Sequence, residues 1–199
     1  MNRNGISIVE IIFGVAIAAS ILFVISSLSG NLNILQNFLN QKLQSRQDVD
    51  QAFQIMTTEI RSAGQSSVGA YPIDTANTST LIFYSDIDKD GLFERVRYFL
   101  NTSTIQKGVV KPAGNPLIYA TSTEIVTTAV TNVVRTTSTV LFSYYDSNYT
   151  GVEPPMIYPL AVSAIRVVKF AAFLDINAST TPKPEYFSGS VLMRNVRSN

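Results

Sequence analysis

Residues 5–28 read GISIVEIIFGVAIAASILFVISSL and carry a single charge, at Glu10. The run from Ile11 to Leu28 is almost wholly apolar, and no charged residue occurs between Glu10 and Lys42. A helix needs about 20 apolar residues to cross the hydrocarbon core of a bilayer. This stretch therefore predicts a membrane-spanning helix near the N-terminus.

The flanks of the apolar run bear on its orientation. A conventional signal peptide has a shorter apolar core that ends at a small-residue cleavage site, whereas this run begins directly after residues 1–5 and continues further. Arg3 precedes it, and Lys42 and Arg46 lie well beyond it. Because cytoplasmic flanks carry the cations, the pattern favours a cytoplasmic N-terminus. The rest of the chain is then expected outside the cytoplasm.

Glu10 is the informative residue within the span. A carboxylate on a membrane helix costs about 2.5–3.5 kcal/mol on insertion scales and normally marks a function. Two interpretations are open. Either Glu10 meets a partner in a helical bundle, or its side chain reaches to the membrane interface.

The residues from Gly5 to Ile12 resemble the leader junction of type IV pilins and pseudopilins. The resemblance implies that prepilin peptidase cuts between Gly5 and Ile6, and that Ile6 becomes the N-methylated first residue. It also makes Glu10 the fifth residue of the mature chain. In that family this glutamate acts in assembly, where the amine of a neighbouring subunit's Ile6 sets the axial register.

The chain is expected to divide into three parts: a leader peptide at 1–5, a transmembrane and assembly helix at 6–63, and a β-rich head at 64–199. Apolar residues continue at a 3-4 spacing beyond the span, at Leu32, Leu35, Leu39, Leu43, Val49, Phe53, Met56 and Ile60. This stripe predicts an amphipathic helix that packs on the sheet of the head. The alternative is an independent coiled coil, against which Lys42 and Arg46 argue. The helix is expected to end at Ala63-Gly64, with Gly64 as a left-handed cap.

After Gly64 the composition changes to Thr, Ser, Val, Tyr and Phe, with prolines and glycines between short runs. The predicted strands are Thr80 to Ile87, Leu92 to Leu100, Thr139 to Tyr145, Ala164 to Leu174 and Tyr186 to Val196. Loops are expected at 66–79, 111–116, 147–159 and 177–184. Alternating apolar residues favour an antiparallel sheet with one covered face. The expected fold class is α+β, a long N-terminal helix packed on a mainly antiparallel head, and pilin-like.

The order of landmarks along the chain resembles the J-type minor pseudopilins of type II secretion and the W-type minor pilins. The landmarks are residues 59–64, 81–84, 140–146 and 191–196. The resemblance implies a structural subunit at or near the filament tip that helps to initiate assembly. It also implies prepilin peptidase, other minor and major pilins or pseudopilins, and the inner membrane as partners.

Composition limits the rival functions. The 199 residues include no cysteine and no histidine, which excludes Ser-His-Asp triads, thiol chemistry and ordinary zinc sites. The net charge of +1 indicates no nucleic-acid partner, and we expect no enzyme. Three alternatives remain: a major or competence-type pilin, a membrane-anchored extracytoplasmic binding domain that never enters a filament, and a hydrolase with a metal at Asp86, Asp88 and Asp90.

Those aspartates alternate before Gly91, as in the first half of a calcium-binding loop, and Glu94 follows. The twelfth position from Asp86 is Arg97 in place of the glutamate of an EF-hand, so this is no EF-hand. Two interpretations are open. The run is a hairpin turn, or it is a weak calcium site whose ligands are Asp86, Asp88, Asp90 and Glu94.

Overall fold

The computed structural model describes residues 7–135, 140–175 and 184–194, and its contacts form two compact units, Met1–Ser45 and Arg46–Asn199. Helix α1 (Ile8–Arg61) runs through both units. Within it, Ile8–Ser27 has a mean hydropathy of 2.8 and is long and apolar enough to span a membrane. The predicted N-terminal apolar helix is therefore present.

The second unit contains two antiparallel sheets. Its strands are β1 (Ile73–Ala76), β2 (Thr80–Ser85), β3 (Glu94–Asn101), β4 (Thr104–Val110), β5 (Ile125–Val130), β6 (Phe142–Tyr145), β7 (Val167–Leu174) and β8 (Glu185–Leu192). The larger sheet has the order β1-β2-β3-β4-β5 and the smaller has β6-β7-β8. Each neighbouring pair is antiparallel, which confirms the α+β class.

Every predicted strand overlaps an observed one, but β1, β4 and β5 were not predicted. The loop predicted at 66–79 is wrong in part, because β1 lies within it and pairs with β2. The exposed residues of β5 lack the alternation of a half-buried strand, since this strand lies at the sheet edge. In β4 the pattern is interrupted by Gly108, over which the side chain of Glu124 lies.

The second unit's part of α1 packs through the predicted apolar stripe. Phe53, Met56 and Ile60 are buried in one core with side chains from both sheets. Phe53 contacts Phe170 of β7 edge to face, with the ring centroids 5.1 Å apart. In the first unit the side chains of Leu35, Leu39 and Leu43 are exposed, so among the stripe's described side chains burial begins in the region of Val49.

A polar contact also joins α1 to the larger sheet. The Glu59 carboxylate accepts a 2.6 Å hydrogen bond from the Tyr98 hydroxyl of β3 and pairs with Lys107 of β4 at 2.5 Å. Tyr98 is fully buried, and this burial, together with the negative charge of Glu59, raises the pKa of the phenol. Glu59, Tyr98 and Lys107 thus form a hydrogen-bonded ion pair between the helix and the sheet.

The helix ends differently from the prediction. It stops at Arg61, and Gly64 does not have the left-handed conformation of a cap. Instead the Gly64 N–H donates to the Tyr84 carbonyl at 2.9 Å, and a Cβ on Gly64 would lie 2.6 Å from the Phe93 ring. Glycine is needed here because two backbone segments and a ring meet closely.

Candidate functional site

Glu10 lies in the first turn of α1, on an exposed stretch of apolar side chains. No residue of the Ile8–Ser27 segment is buried within the chain. Among the described residues, none contacts the Glu10 carboxylate through a hydrogen bond or ion pair. Gly5 and Ile6, the residues predicted for cleavage and N-methylation, lie outside the described residues.

The acidic run forms the connection between β2 and β3. These strands pair antiparallel, with Ser85 opposite Glu94, so the predicted hairpin is confirmed. The connection spans 86–93 and is longer than a two-residue turn. Lys89 and Gly91 adopt positive φ angles of 62° and 90°, which lets the chain reverse within the loop.

Three of the four predicted calcium ligands come together in this hairpin. Asp86, Asp88 and Glu94 can each offer a carboxylate oxygen, and these oxygens lie within 4.8 Å of one another. Asp90 is not part of this group. Its Oδ1 accepts the Leu92 N–H at 2.8 Å and so stabilises the loop.

Two carboxylate oxygens of the group are buried without a hydrogen-bond partner, Asp86 Oδ1 and Glu94 Oε1. The other oxygen of each residue is used: Glu94 Oε2 accepts the Ile87 N–H at 2.9 Å, and Asp86 Oδ2 accepts the Gly91 N–H at 3.1 Å. Glu94 is wholly buried, which raises its pKa because desolvation penalises the carboxylate.

A cation from the neighbouring strand reaches the loop. Lys111, directly after β4, donates to Asp88 Oδ2 and lies 4.0 Å from a carboxylate oxygen of Asp90. This hydrogen bond lowers the pKa of Asp88 and raises that of Lys111. Lys111 could not be identified from the sequence as a neighbour of this loop, because it lies far from the aspartates along the chain.

Contacts from outside the hairpin fix the end of the loop. The Phe93 N–H donates to Ser67 Oγ at 2.8 Å, and the Tyr119 hydroxyl donates to the Phe93 carbonyl at 2.6 Å. Tyr119 Oη in turn accepts the Ser67 N–H at 3.1 Å. No local sequence signal identifies Ser67 or Tyr119, since both belong to irregular segments.

Arg97, at the position of an EF-hand's last ligand, contacts residues outside the loop. Arg97 donates two hydrogen bonds to Glu124, of 2.8 and 2.6 Å. Its guanidinium also lies 3.9 Å from the centre of the Phe99 ring. Arg97 thus belongs to the surface of the larger sheet, and the loop has no twelfth-position ligand.

The smaller sheet carries an aromatic surface at its exposed face. Tyr145 and Tyr149 pack with their ring centroids 4.1 Å apart, and the Lys169 ammonium donates to the Tyr149 hydroxyl. Tyr144 is instead buried, with its hydroxyl donating to the Asn77 carbonyl at 2.9 Å. Adjacent tyrosines therefore differ in role, because successive side chains in a strand point to opposite faces.

Comparison with known proteins assigns no family. No family model and no curated protein matches this chain. The functional proposals therefore depend on the N-terminal sequence, the apolar helix and the geometry of the acidic hairpin.

Proposed function

We propose that this chain is a minor pilin or pseudopilin, a structural subunit of a type IV pilus or a type II secretion pseudopilus. The carrying observation is Glu10, in the first turn of an apolar helical segment that is exposed throughout. An apolar surface of this length needs lipid or other helices to cover it. A carboxylate among those helices needs a positive partner.

Assembly satisfies both needs in succession. The membrane covers Ile8–Ser27 first, with the N-terminus in the cytoplasm and the head outside. Prepilin peptidase removes residues 1–5 and leaves Ile6 as the methylated terminus. When helices enter the filament, the amine of a neighbouring subunit's Ile6 pairs with Glu10 and sets the axial register.

The second unit supports a role in subunit contact near the filament tip. The buried residues Phe53, Met56 and Ile60 connect the distal part of α1 to the core of both sheets. Such an attachment lets helix packing place a folded β domain on a filament, in the manner of a pilin. Together with other minor subunits, the chain would initiate assembly, and this role requires no catalysis.

The test compares Glu10→Gln with the wild-type chain in cells that contain its companion pilin-like subunits and active prepilin peptidase. The substitution removes the charge and keeps the shape. We expect normal processing and membrane insertion, and loss of the chain from sheared filaments or from cross-linked complexes with the companion subunits.

Ser20→Ala is the matched control within the same segment. The Ser20 hydroxyl donates to the Ala16 carbonyl of its own helix at 2.8 Å, so its removal should leave assembly unchanged. Assembly of Glu10→Gln at the wild-type level would refute the register role.

Mass spectrometry of the mature chain tests the leader separately. N-methyl-Ile6 is the expected terminus, because the resemblance implies a cut after Gly5. Recovery of the intact Met1 terminus from these cells would refute the pilin proposal and favour a permanently anchored binding domain.

A further inference from the structure

The acidic hairpin buries carboxylate oxygens that accept no hydrogen bond. Asp86 Oδ1 and Glu94 Oε1 are buried without hydrogen bonds, and the Glu94 residue is wholly buried. A buried carboxylate is costly unless it is paired or coordinates a metal. Two such oxygens in one hairpin therefore point to a cationic ligand.

The spacing and chemistry of the donors specify the cation. Calcium binds oxygen ligands at about 2.3–2.6 Å, so two oxygens on a shared ion are at most about 5 Å apart. The carboxylate oxygens of Asp86, Asp88 and Glu94 lie within 4.8 Å of one another. Magnesium demands a tighter octahedron and retains its waters, and zinc prefers nitrogen or sulfur donors.

We propose that this hairpin binds one calcium ion through Asp86, Asp88 and Glu94, and that the Lys111 ammonium pairs with the Asp88 carboxylate when calcium is absent. Backbone carbonyls and water complete the six to eight ligands of the ion. Asp90 remains a support of the loop through its bond to the Leu92 N–H. The site is independent of the assignment as a pilin.

The Lys111 ammonium and a calcium ion would compete for the Asp88 carboxylate. Its ammonium donates to Asp88 Oδ2, an oxygen that calcium would use. The ammonium pairs with Asp88 and approaches Asp90, whereas a divalent ion bound to the three grouped carboxylates would balance more of their charge. Calcium must share or displace this hydrogen bond, which weakens its apparent affinity.

The remainder of the site is already ordered. Ser67 and Tyr119 fix the backbone of Phe93, directly before Glu94, through hydrogen bonds of 2.8 and 2.6 Å. Because these contacts do not involve the carboxylates, they hold the hairpin before an ion arrives. Preorganisation of this kind reduces the entropy lost on binding.

The experiment titrates the full chain, purified in detergent micelles and freed of metal by chelator, with calcium chloride and in parallel with magnesium chloride. Isothermal titration calorimetry measures the affinity. We expect a single calcium site with a Kd of about 10⁻⁴–10⁻³ M, the range of extracellular modules, and at least tenfold weaker magnesium binding. Absence of saturable calcium binding up to about ten times the upper end of that range would refute the site.

Three variants define the ligands. Glu94→Gln and the exposed Asp88→Asn should each weaken calcium binding at least tenfold. Lys111→Met should strengthen it about two- to fivefold, as expected for loss of an exposed ionic competitor. Retention of wild-type calcium affinity in both carboxylate variants, or a loss of affinity in Lys111→Met, would contradict the proposal.

Asp74→Asn is the matched control, since Asp74 of β1 pairs with Arg95, whose side chain lies on the opposite face of β3 from that of Glu94. Its calcium affinity should equal that of the wild-type chain. Circular dichroism of each variant checks the fold, and Asp88→Asn keeps the test decisive if Glu94→Gln does not fold.

Discussion

Glu59→Gln tests whether the ion pair between α1 and the larger sheet supports the fold of the second unit. Glutamine keeps the volume of Glu59 and can still accept the Tyr98 hydroxyl, but it leaves the Lys107 ammonium without its anion. The Lys107 and Glu59 side chains are only 17% and 12% exposed, so water replaces the lost partner poorly. The substitution should therefore destabilise the second unit.

The magnitude follows from this burial. Removal of one partner from a buried ion pair costs about 3–5 kcal/mol. Because both side chains retain some contact with water, we take the lower value of about 3 kcal/mol. For a chain of 150–250 residues, each kcal/mol shifts Tm by about 2–4 °C, so the expected decrease is about 6–12 °C.

Thermal unfolding of the full chain in detergent, followed by circular dichroism, measures this decrease. Asp88→Asn, melted in chelator, is the control, because it also neutralises a carboxylate in an ion pair but leaves behind Lys111, which is 62% exposed. Exposed pairs contribute about 0–1 kcal/mol, so Tm should decrease by at most about 4 °C. Equal decreases for Glu59→Gln and Asp88→Asn would refute the argument from burial.

Two further predictions concern local contacts. Gly64→Ala should cost about 1–3 kcal/mol, because its Cβ overlaps the Phe93 ring, and Phe93→Leu in the same chain should restore part of the loss in a thermal melt. A Gly64→Ala variant as stable as the wild-type chain would contradict this contact. Hydrogen bonds from the Thr150 side chain and backbone lower the pKa of Glu153 to about 2, so Thr150→Val should raise it towards its ordinary 4.5, as measured by an NMR titration of the carboxyl carbon. A lowered pKa stabilises the fold above pH 4.5, and this contribution is lost as the pH falls towards 2. The Thr150→Val variant should therefore lose less stability than the wild-type chain over that pH range. An unchanged Glu153 pKa in the variant would exclude the Thr150 hydroxyl as the cause of the lowered pKa.

Features with a local periodicity could be predicted from the sequence. The apolar run with Glu10 predicts a helix suited to a membrane, because length and hydropathy alone decide that property. The 3-4 spacing of Phe53, Met56 and Ile60 identified the buried face of α1, since helical geometry places such residues on one side. Asp90-Gly91 between two apolar runs likewise identified the hairpin of β2 and β3.

The composition of the candidate calcium site was only partly predictable. The alternating aspartates and Glu94 identified its position, because all lie within one short segment. The sequence could not separate Asp90, which bonds to the Leu92 backbone, from the residues that face one another. That difference depends on the path of the loop, which passes through positive φ at Lys89 and Gly91.

Tertiary structure alone decided the partners of these charges. Lys111 reaches Asp88 because β4 pairs with β3, and Lys107 reaches Glu59 because the same sheet packs against α1. Neither contact leaves a periodic signal, since each joins residues more than twenty positions apart. The sequence by itself determined a membrane-type helix and an acidic hairpin; the packing of strands and helix determined which carboxylates are buried, which are paired, and which keep an oxygen without a hydrogen bond.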